Sequence, residues 1–223
     1  MSAPRRFDLI CFDWDGTLFD STALIVRCIR AAVADVGGTV PDETQASWVI
    51  GLGLAEAMAR AAPDLPPERV PDLVARYRHH YFAAQHEVSL FEGVRPLLDE
   101  LAAREHRLAV ATGKGRRGLD AALDGSGLRA RFDATRTAEE TAGKPHPQML
   151  LELMEELGAS PERTLMIGDT THDLEMARNA GCAGIAVGYG AHPAEEFAPY
   201  APLLVAHSRS EEHTSELQSH SGI

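Results

Sequence analysis

The chain has 223 residues, 33 of them acidic and 21 basic, so with neutral histidines its net charge is −12. An excess of that size works against a nucleic-acid partner, which needs a basic surface to displace counterions from phosphates. With 44% apolar and 24% charged residues, the composition excludes collagen-like and disordered chains and leaves enough apolar material for a sizeable core. Lys114 and Lys144 are the two lysines of the chain, so each invites a specific role. Cys11, Cys28 and Cys182 are odd in number and widely spaced, which argues against a disulfide framework or a zinc site and for a reducing compartment. Asp8, Asp13 and Asp15 interrupt the apolar run near the N-terminus, so no secretion signal is expected there. No stretch approaches a membrane span, and the expected location is the cytoplasm.

Residues 7–12 form a near-continuous apolar, β-prone run, the pattern of a strand buried on both faces of a parallel sheet. Residues 21–90 then show only helical patterns, broken at Gly37-Gly38, at 51–53 and at 63–67. They predict a small helical bundle set over one end of the sheet, either as a lid or simply as cover. Beyond it, strands are predicted at 107–112, 132–136, 164–168, 184–189 and 203–207, and helices at 94–105, 116–123, 147–157 and 172–180, the last stopped by Gly181. The alternation predicts a doubly wound α/β layer with right-handed crossovers. The core domain is placed at 1–19 and 91–208 and the helical domain at 20–90. Residues 209–223, beginning RSEEHTSELQSH, read like a translated sequencing-adapter oligonucleotide and are expected to be a non-native tail. Without that tail the net charge is about −10.

Four places at or just after strand ends carry candidate chemistry. In Asp13-Trp14-Asp15-Gly16-Thr17 two carboxylates two residues apart point to one side of an extended segment, and such a pair can divide the work of nucleophile or metal ligand and general acid–base. Gly16 would let the backbone approach an anion, and Thr17 offers a hydroxyl. An Asp-rich turn capping a helix gives the same pattern. Thr112-Gly113-Lys114 places a hydroxyl and free backbone N–H groups where a helix begins, a site for a phosphate oxygen or an ordinary capped turn. Lys144 lies between Gly143 and Pro145, where proline restricts the backbone and can hold the lysine in place; an ordinary surface lysine is the alternative. Asp169 closes the fourth strand and Asp173 follows one helical turn later, as a second carboxylate for a hard cation such as Mg²⁺ or as a helix cap.

Two other motifs compete. Gly113-Lys114-Gly115-Arg116-Arg117-Gly118 matches a dinucleotide fingerprint, with Asp133 about twenty residues on, yet the loop is crowded with basic side chains and Asp133 begins a strand instead of ending one. His79, His80 and His86 lie on a polar helical stretch without a fitting partner and read as a solvated face.

Taken together and in order, DWDGTLFDS, VATGK, GKPHPQ and GDTTHD resemble the four motifs of the haloacid dehalogenase superfamily of phosphohydrolases. The helical insertion after the first motif and the wording FEGVRPLLDEL resemble its phosphoglycolate-phosphatase-like branch with a helical cap. The resemblance spans about residues 7–208. It implies a Rossmann-like parallel core with an inserted all-helical cap domain, Mg²⁺ as cofactor and a phosphoaspartyl intermediate. Carried over, Asp13 is the nucleophile and Asp15 the acid and base, whose backbone carbonyl also binds Mg²⁺. Thr17, Thr112, Gly113 and Lys144 bind substrate phosphate, Lys144 offsets charge, and Asp13, Asp15, Asp169 and Asp173 form the metal set. Trp14 stands where the family usually has Phe, and the acid at Asp15 disfavours dehalogenation. Relatives continue into a last helix where this chain has its tail.

The resemblance therefore implies a phosphatase acting on a small phosphorylated metabolite, with 2-phosphoglycolate first among them, as a monomer or homodimer without nucleic-acid or membrane partners. The alternatives are a phosphosugar mutase or pyrophosphatase of the same superfamily and, more remotely, a nicotinamide-dependent oxidoreductase or a non-catalytic binding protein. Specificity is expected to rest on the cap near 51–53, and on Arg116 or Arg117 if the substrate bears a carboxylate; both arginines could equally be solvated.

Overall fold

The run LICF forms the central strand β1 (Leu9–Phe12), and all four of its residues are buried. Its side chains alternate between the two faces of the sheet, as the period of two requires. A computed structural model describes residues 5–207. In chain order β1 is followed by α1 (Thr22–Asp35), α2 (Glu43–Trp48), α3 (Leu54–Ala61), α4 (Val70–Ala84), α5 (Val94–Ala103) and β2 (Arg107–Thr112). Next come α6 (Arg116–Ser126), β3 (Ala134–Thr137), α7 (Gln148–Leu157), β4 (Thr164–Gly168), α8 (Thr171–Asn179), β5 (Ala183–Val187) and β6 (Val205–Ala206). The six strands are parallel in the order β3-β2-β1-β4-β5-β6.

Ile10 and Phe12 pack with Leu98 of α5 and Leu119 of α6 on one face. Leu9 and Cys11 pack with Met149 and Leu153 of α7 and Met176 of α8 on the other. Covering both faces is what lets β1 be apolar throughout. The chain builds outward from β1 through β2 to β3, then returns to place β4 on the other side of β1. That reversal opens a crevice beyond the carboxyl ends of β1, β2 and β4, where ligands of open α/β sheets bind.

Helices α1 to α4 share a separate apolar cluster that includes Ile25, Ile29, Met58 and Leu73. The segments entering and leaving this helical unit lie side by side, with Phe19 and Leu90 in an antiparallel bridge. The Asp20 N–H donates to the Ser89 carbonyl at 3.0 Å and the Phe91 N–H to the Leu18 carbonyl at 3.0 Å. Among the described residues no helix is long and apolar enough to cross a membrane.

Element ends differ from the sequence expectations by a few residues. The first strand starts at Leu9, not residue 7, because Phe7 lies outside the ladder although its side chain is buried. The last strand shrinks to two residues, Val205 and Ala206, since a strand extends only where β5 offers backbone partners. The tail expected from residue 209 lies outside the described residues.

Trp14, 1% exposed, stacks on Phe19 at a centroid distance of 5.0 Å and meets Phe132 edge-on at 6.3 Å. Trp14→Ala is expected to lower the unfolding free energy by about 3–5 kcal/mol. Urea titration checks this, and a change under about 1 kcal/mol would mean the site collapses around the smaller side chain.

Candidate active site

The carboxyl ends of β1, β2 and β4 bring the motif residues together. Asp13 is 1% exposed, and its backbone N–H donates to the Ile167 carbonyl at 2.9 Å, continuing the β1–β4 ladder. Trp14 turns into the core while Asp13 and Asp15 face one cavity, the alternation expected of an extended segment. Gly16 then takes φ +80°, and a Cβ there would lie 2.1 Å from Asp169 Oδ2. Only glycine allows the loop to pass this close to the second acid. Thr17, expected to bind substrate, donates its hydroxyl to Asp169 Oδ1 at 2.8 Å and so helps to hold that carboxylate.

Of the two roles left open by the sequence, Asp173 visibly fills that of the helix cap, and it pairs with Lys144 as well. Its Oδ2 accepts from the Thr170 N–H at 3.1 Å and the Thr170 hydroxyl at 2.7 Å, completing a capping box at the start of α8. Its Oδ1 stands 2.6 Å from Lys144 Nζ, which is also 2.8 Å from Asp13 Oδ1. Lys144 is fully buried, so its ammonium has exchanged water for these two carboxylates. Burial alone would lower the Lys144 pKa, but Asp13 and Asp173 outweigh it and hold the pKa above its ordinary value.

The acids outnumber the nearby cation. Burial pushes the Asp13 carboxyl up to about 7, against the pull of Lys144 and with added repulsion from Asp173 and Asp15. Burial, followed by repulsion from Asp13 and Asp173, holds Asp169 well above the usual carboxylate range. One ligand oxygen from each of Asp13, Asp169 and Asp173 lies within 4.8 Å of the others, and Asp13 Oδ2 has no hydrogen-bond partner among the described residues. A hard divalent cation suits such a site: it takes oxygen ligands and offsets charge that a single ammonium leaves uncompensated. Asp15, expected in the metal set through its backbone carbonyl, has its carboxylate outside this trio.

That carboxylate meets the other lysine. Lys114 Nζ donates to Asp15 Oδ1 at 3.0 Å and Oδ2 at 2.9 Å, and to the Tyr81 hydroxyl of α4 at 3.0 Å. The Ser21 hydroxyl donates to Asp15 Oδ1 at 2.8 Å. Thr112 Oγ1 accepts from the Lys114 N–H at 3.2 Å, shaping the loop. At Gly113 a Cβ would lie 2.4 Å from the Leu52 carbonyl oxygen and 2.5 Å from that of Gly51, so the helical unit rests its backbone on this glycine. The rarity of lysine had marked Lys114, but its partner Tyr81 carried no sequence signal.

Other expectations resolve plainly. Asp133 accepts from the Leu108 N–H at 2.9 Å, at the end of β2 opposite Gly113, which removes the dinucleotide reading because the acid cannot reach a ligand on that loop. Arg116 donates to the Thr135 hydroxyl at 3.0 Å and pairs with Glu140 at 2.6 Å, so its charge is already engaged. Arg117 is exposed and lines the cavity. His80 pairs with Asp35 at 2.9 Å, in keeping with a solvated helix face.

The raised Asp13 pKa has a signed consequence. The folded state binds a proton on Asp13 more tightly than the unfolded chain does, so in metal-free protein stability falls as pH rises from about 4 to about 7 and stays lower above that. Asp13→Asn removes the titration, and the stability gap between the variant and the parent is expected to widen in the variant's favour over this window. Chemical denaturation at several pH values in a chelating buffer checks it; a pH-independent gap would contradict the assignment.

Comparison with known proteins agrees with this geometry. Residues 10–187 match the family described as "Haloacid dehalogenase-like hydrolase". The chain is 36% identical over 208 residues to a Dickeya dadantii protein named "Probable phosphatase IndB", covering 91% of this chain and 90% of that one. It is 31% identical over 207 residues to the phosphoglycolate phosphatase of Aliivibrio fischeri, covering 89% and 91%. A solved haloacid dehalogenase-like hydrolase of Bacteroides fragilis superposes with a TM-score of 0.85 at 26% identity, covering 92% of this chain and 99% of that one. Motif order, strand topology and these likenesses coincide: the chain belongs to the haloacid dehalogenase-like hydrolase family.

Proposed function

We propose that the chain is a Mg²⁺-dependent phosphatase that hydrolyses a small phosphorylated metabolite through a phosphoaspartyl intermediate. The observation that carries this reading is the Asp13 carboxylate. It is buried at a strand end with Oδ1 beside Lys144, its Oδ2 has no hydrogen-bond partner among the described residues, and it faces the cavity. Relatives named as phosphatases support the reaction class.

In this reading Asp13 attacks phosphorus in line, the bond to the leaving oxygen breaks, and Asp15 supplies the proton that oxygen needs. Asp15 then takes a proton from water as the water attacks phosphorus, and the acyl-phosphate bond breaks to restore Asp13. Ser21 and Lys114 hold Asp15 in place before substrate arrives. Thr112 and the Gly113 N–H hold phosphoryl oxygens, and Lys144 offsets the repulsion between one anion and another. Asp13, Asp169 and Asp173 would hold Mg²⁺, with the Asp15 backbone carbonyl beside them, and the ion would supply further charge neutralisation. Thr17 acts one step back, by positioning Asp169. A mutase would return the phosphoryl group to a sugar, a polar body ill matched to the apolar walls described below.

Asp13→Asn is expected to reduce phosphate release by about 10³-fold or more, because an amide does not form the acyl phosphate. Asp15→Asn should accumulate a phosphoenzyme visible by intact mass spectrometry, with 2-phosphoglycolate as the reference ester. Persistent turnover in the first variant would exclude Asp13 as nucleophile, and equal loss of both half-reactions in the second would exclude the dual role of Asp15. Millimolar Mg²⁺ should raise the thermal midpoint of the parent more than that of Asp169→Asn; equal shifts would exclude Asp169 as a ligand.

A further inference from the structure

Above the acids lies a cavity of about 330 Å³ between the sheet end and the helical unit. Its floor includes Asp13, Asp15 and Thr112, and its walls come mainly from Ile25, Ile29, Leu52, Met58, Tyr77 and Tyr81. Those walls belong to the apolar cluster of the helical unit. Tyr77 and Tyr81 stack at a centroid distance of 5.8 Å, presenting flat aromatic surface. A void lined this way forfeits dispersion contacts and favours an apolar occupant over ordered water.

The charges around the cavity are largely matched by one another. Lys114 is bound to Asp15 and Tyr81, and Arg78 pairs with Glu139 at 3.1 Å. Arg116, placed by the sequence among the candidates for a substrate carboxylate, is engaged with Glu140 and Thr135. Arg117 stands exposed at the rim. Lys114 and Arg78 line the cavity already paired with Asp15 and Glu139, so a carboxylate next to the phosphate would have to compete with those acids or reach out to Arg117 at the rim. Deeper in the cavity it would lie against hydrocarbon, where desolvation opposes it.

We propose that the preferred substrate is a phosphate monoester whose body is apolar and ring-sized, an aromatic or branched hydrocarbon, and not a short carboxylate such as glycolate. This rests on the phosphatase reading above and adds the chemical class of the leaving group. The phosphate sits at Asp13, and the body rises between Ile25 and Ile29 of α1, Met58 of α3 and the Tyr77–Tyr81 face of α4. The volume suits a body of that kind, since sites for compact organic ligands begin at about 300 Å³.

The test measures binding and turnover separately, on the full chain with Mg²⁺. In calorimetric titration, the hydrolysis-resistant naphthylmethyl phosphonate is expected to bind at least about tenfold tighter than phosphonoacetate, with a negative heat-capacity change. Equal affinity, or tighter phosphonoacetate, overturns the proposal. Leu54 also lines the cavity and is only partly buried, so Leu54→Arg is expected to narrow the ratio by about tenfold, and an unchanged ratio counts against the proposal. The comparison in the parent chain does not depend on that variant folding. Hydrolysis of naphthylmethyl phosphate and 2-phosphoglycolate is then compared. A higher kcat/KM for 2-phosphoglycolate overturns the substrate class and leaves the phosphatase reading intact. Tight binding of the aromatic phosphonate with no hydrolysis of either ester supports the apolar site and overturns the phosphatase reading.

Discussion

Lys144 stands out of contact with water between Asp13 and Asp173, and much of the molecule is arranged to keep it there. A buried ammonium is tolerated only when carboxylates replace its hydration, and removing one partner of such a cluster typically destabilises by about 3–5 kcal/mol. The three groups arrive from the end of β1, the loop before α7 and the first turn of α8. The β1–β4 ladder, the capping box of α8 and the hydroxyl of Thr17 on Asp169 therefore serve one end, which is to hold like charges close together. Raised proton affinity at Asp13 and Asp169 follows first from their burial and then from that crowding.

The second lysine ties the two halves of the molecule together. Lys114 rises from the loop after β2, holds Asp15, and reaches the Tyr81 hydroxyl of the helical unit. Close by, the Gly51 and Leu52 carbonyls rest on Gly113, where no side chain fits. Trp48 adds a third tie, since its carbonyl lies 3.0 Å from His172 Nε2 and 3.1 Å from His192 Nε2. The helical unit is thus fastened by polar contacts around the rim of the acidic site, while its apolar interior faces the cavity. A polar floor under apolar walls separates recognition of the phosphate from recognition of the rest of the ligand.

The legible parts were those with a local cause. The 164–168 and 107–112 strand boundaries were read correctly because a buried parallel strand is apolar along its whole length, and Gly181 marked the end of α8 because it sits in the left-handed region with φ +74°. Asp13 and Asp15 were assigned to one side from alternation alone. Thr17 and Arg116 were different. A threonine after a glycine and an arginine at a helix start offer free groups on paper, and both are engaged by Asp169 and Glu140, residues far away or across a loop.

The succession of strands and helices along the chain, the insertion after the first strand, and the acids and lysines that gather at strand ends were all legible from the residues alone. These follow from hydrophobic period, glycine and proline placement and the scarcity of lysine, all of which act within a few residues. The pairing of Lys114 with Asp15 and Tyr81, the division of Asp173's two oxygens between a helix cap and Lys144, and the mainly apolar walls of the cavity came from the packing of distant elements. Those outcomes depend on where α1, α3 and α4 come to rest against the sheet. Their docking is set by an apolar cluster and by backbone contacts between residues distant in the chain, which no local pattern records.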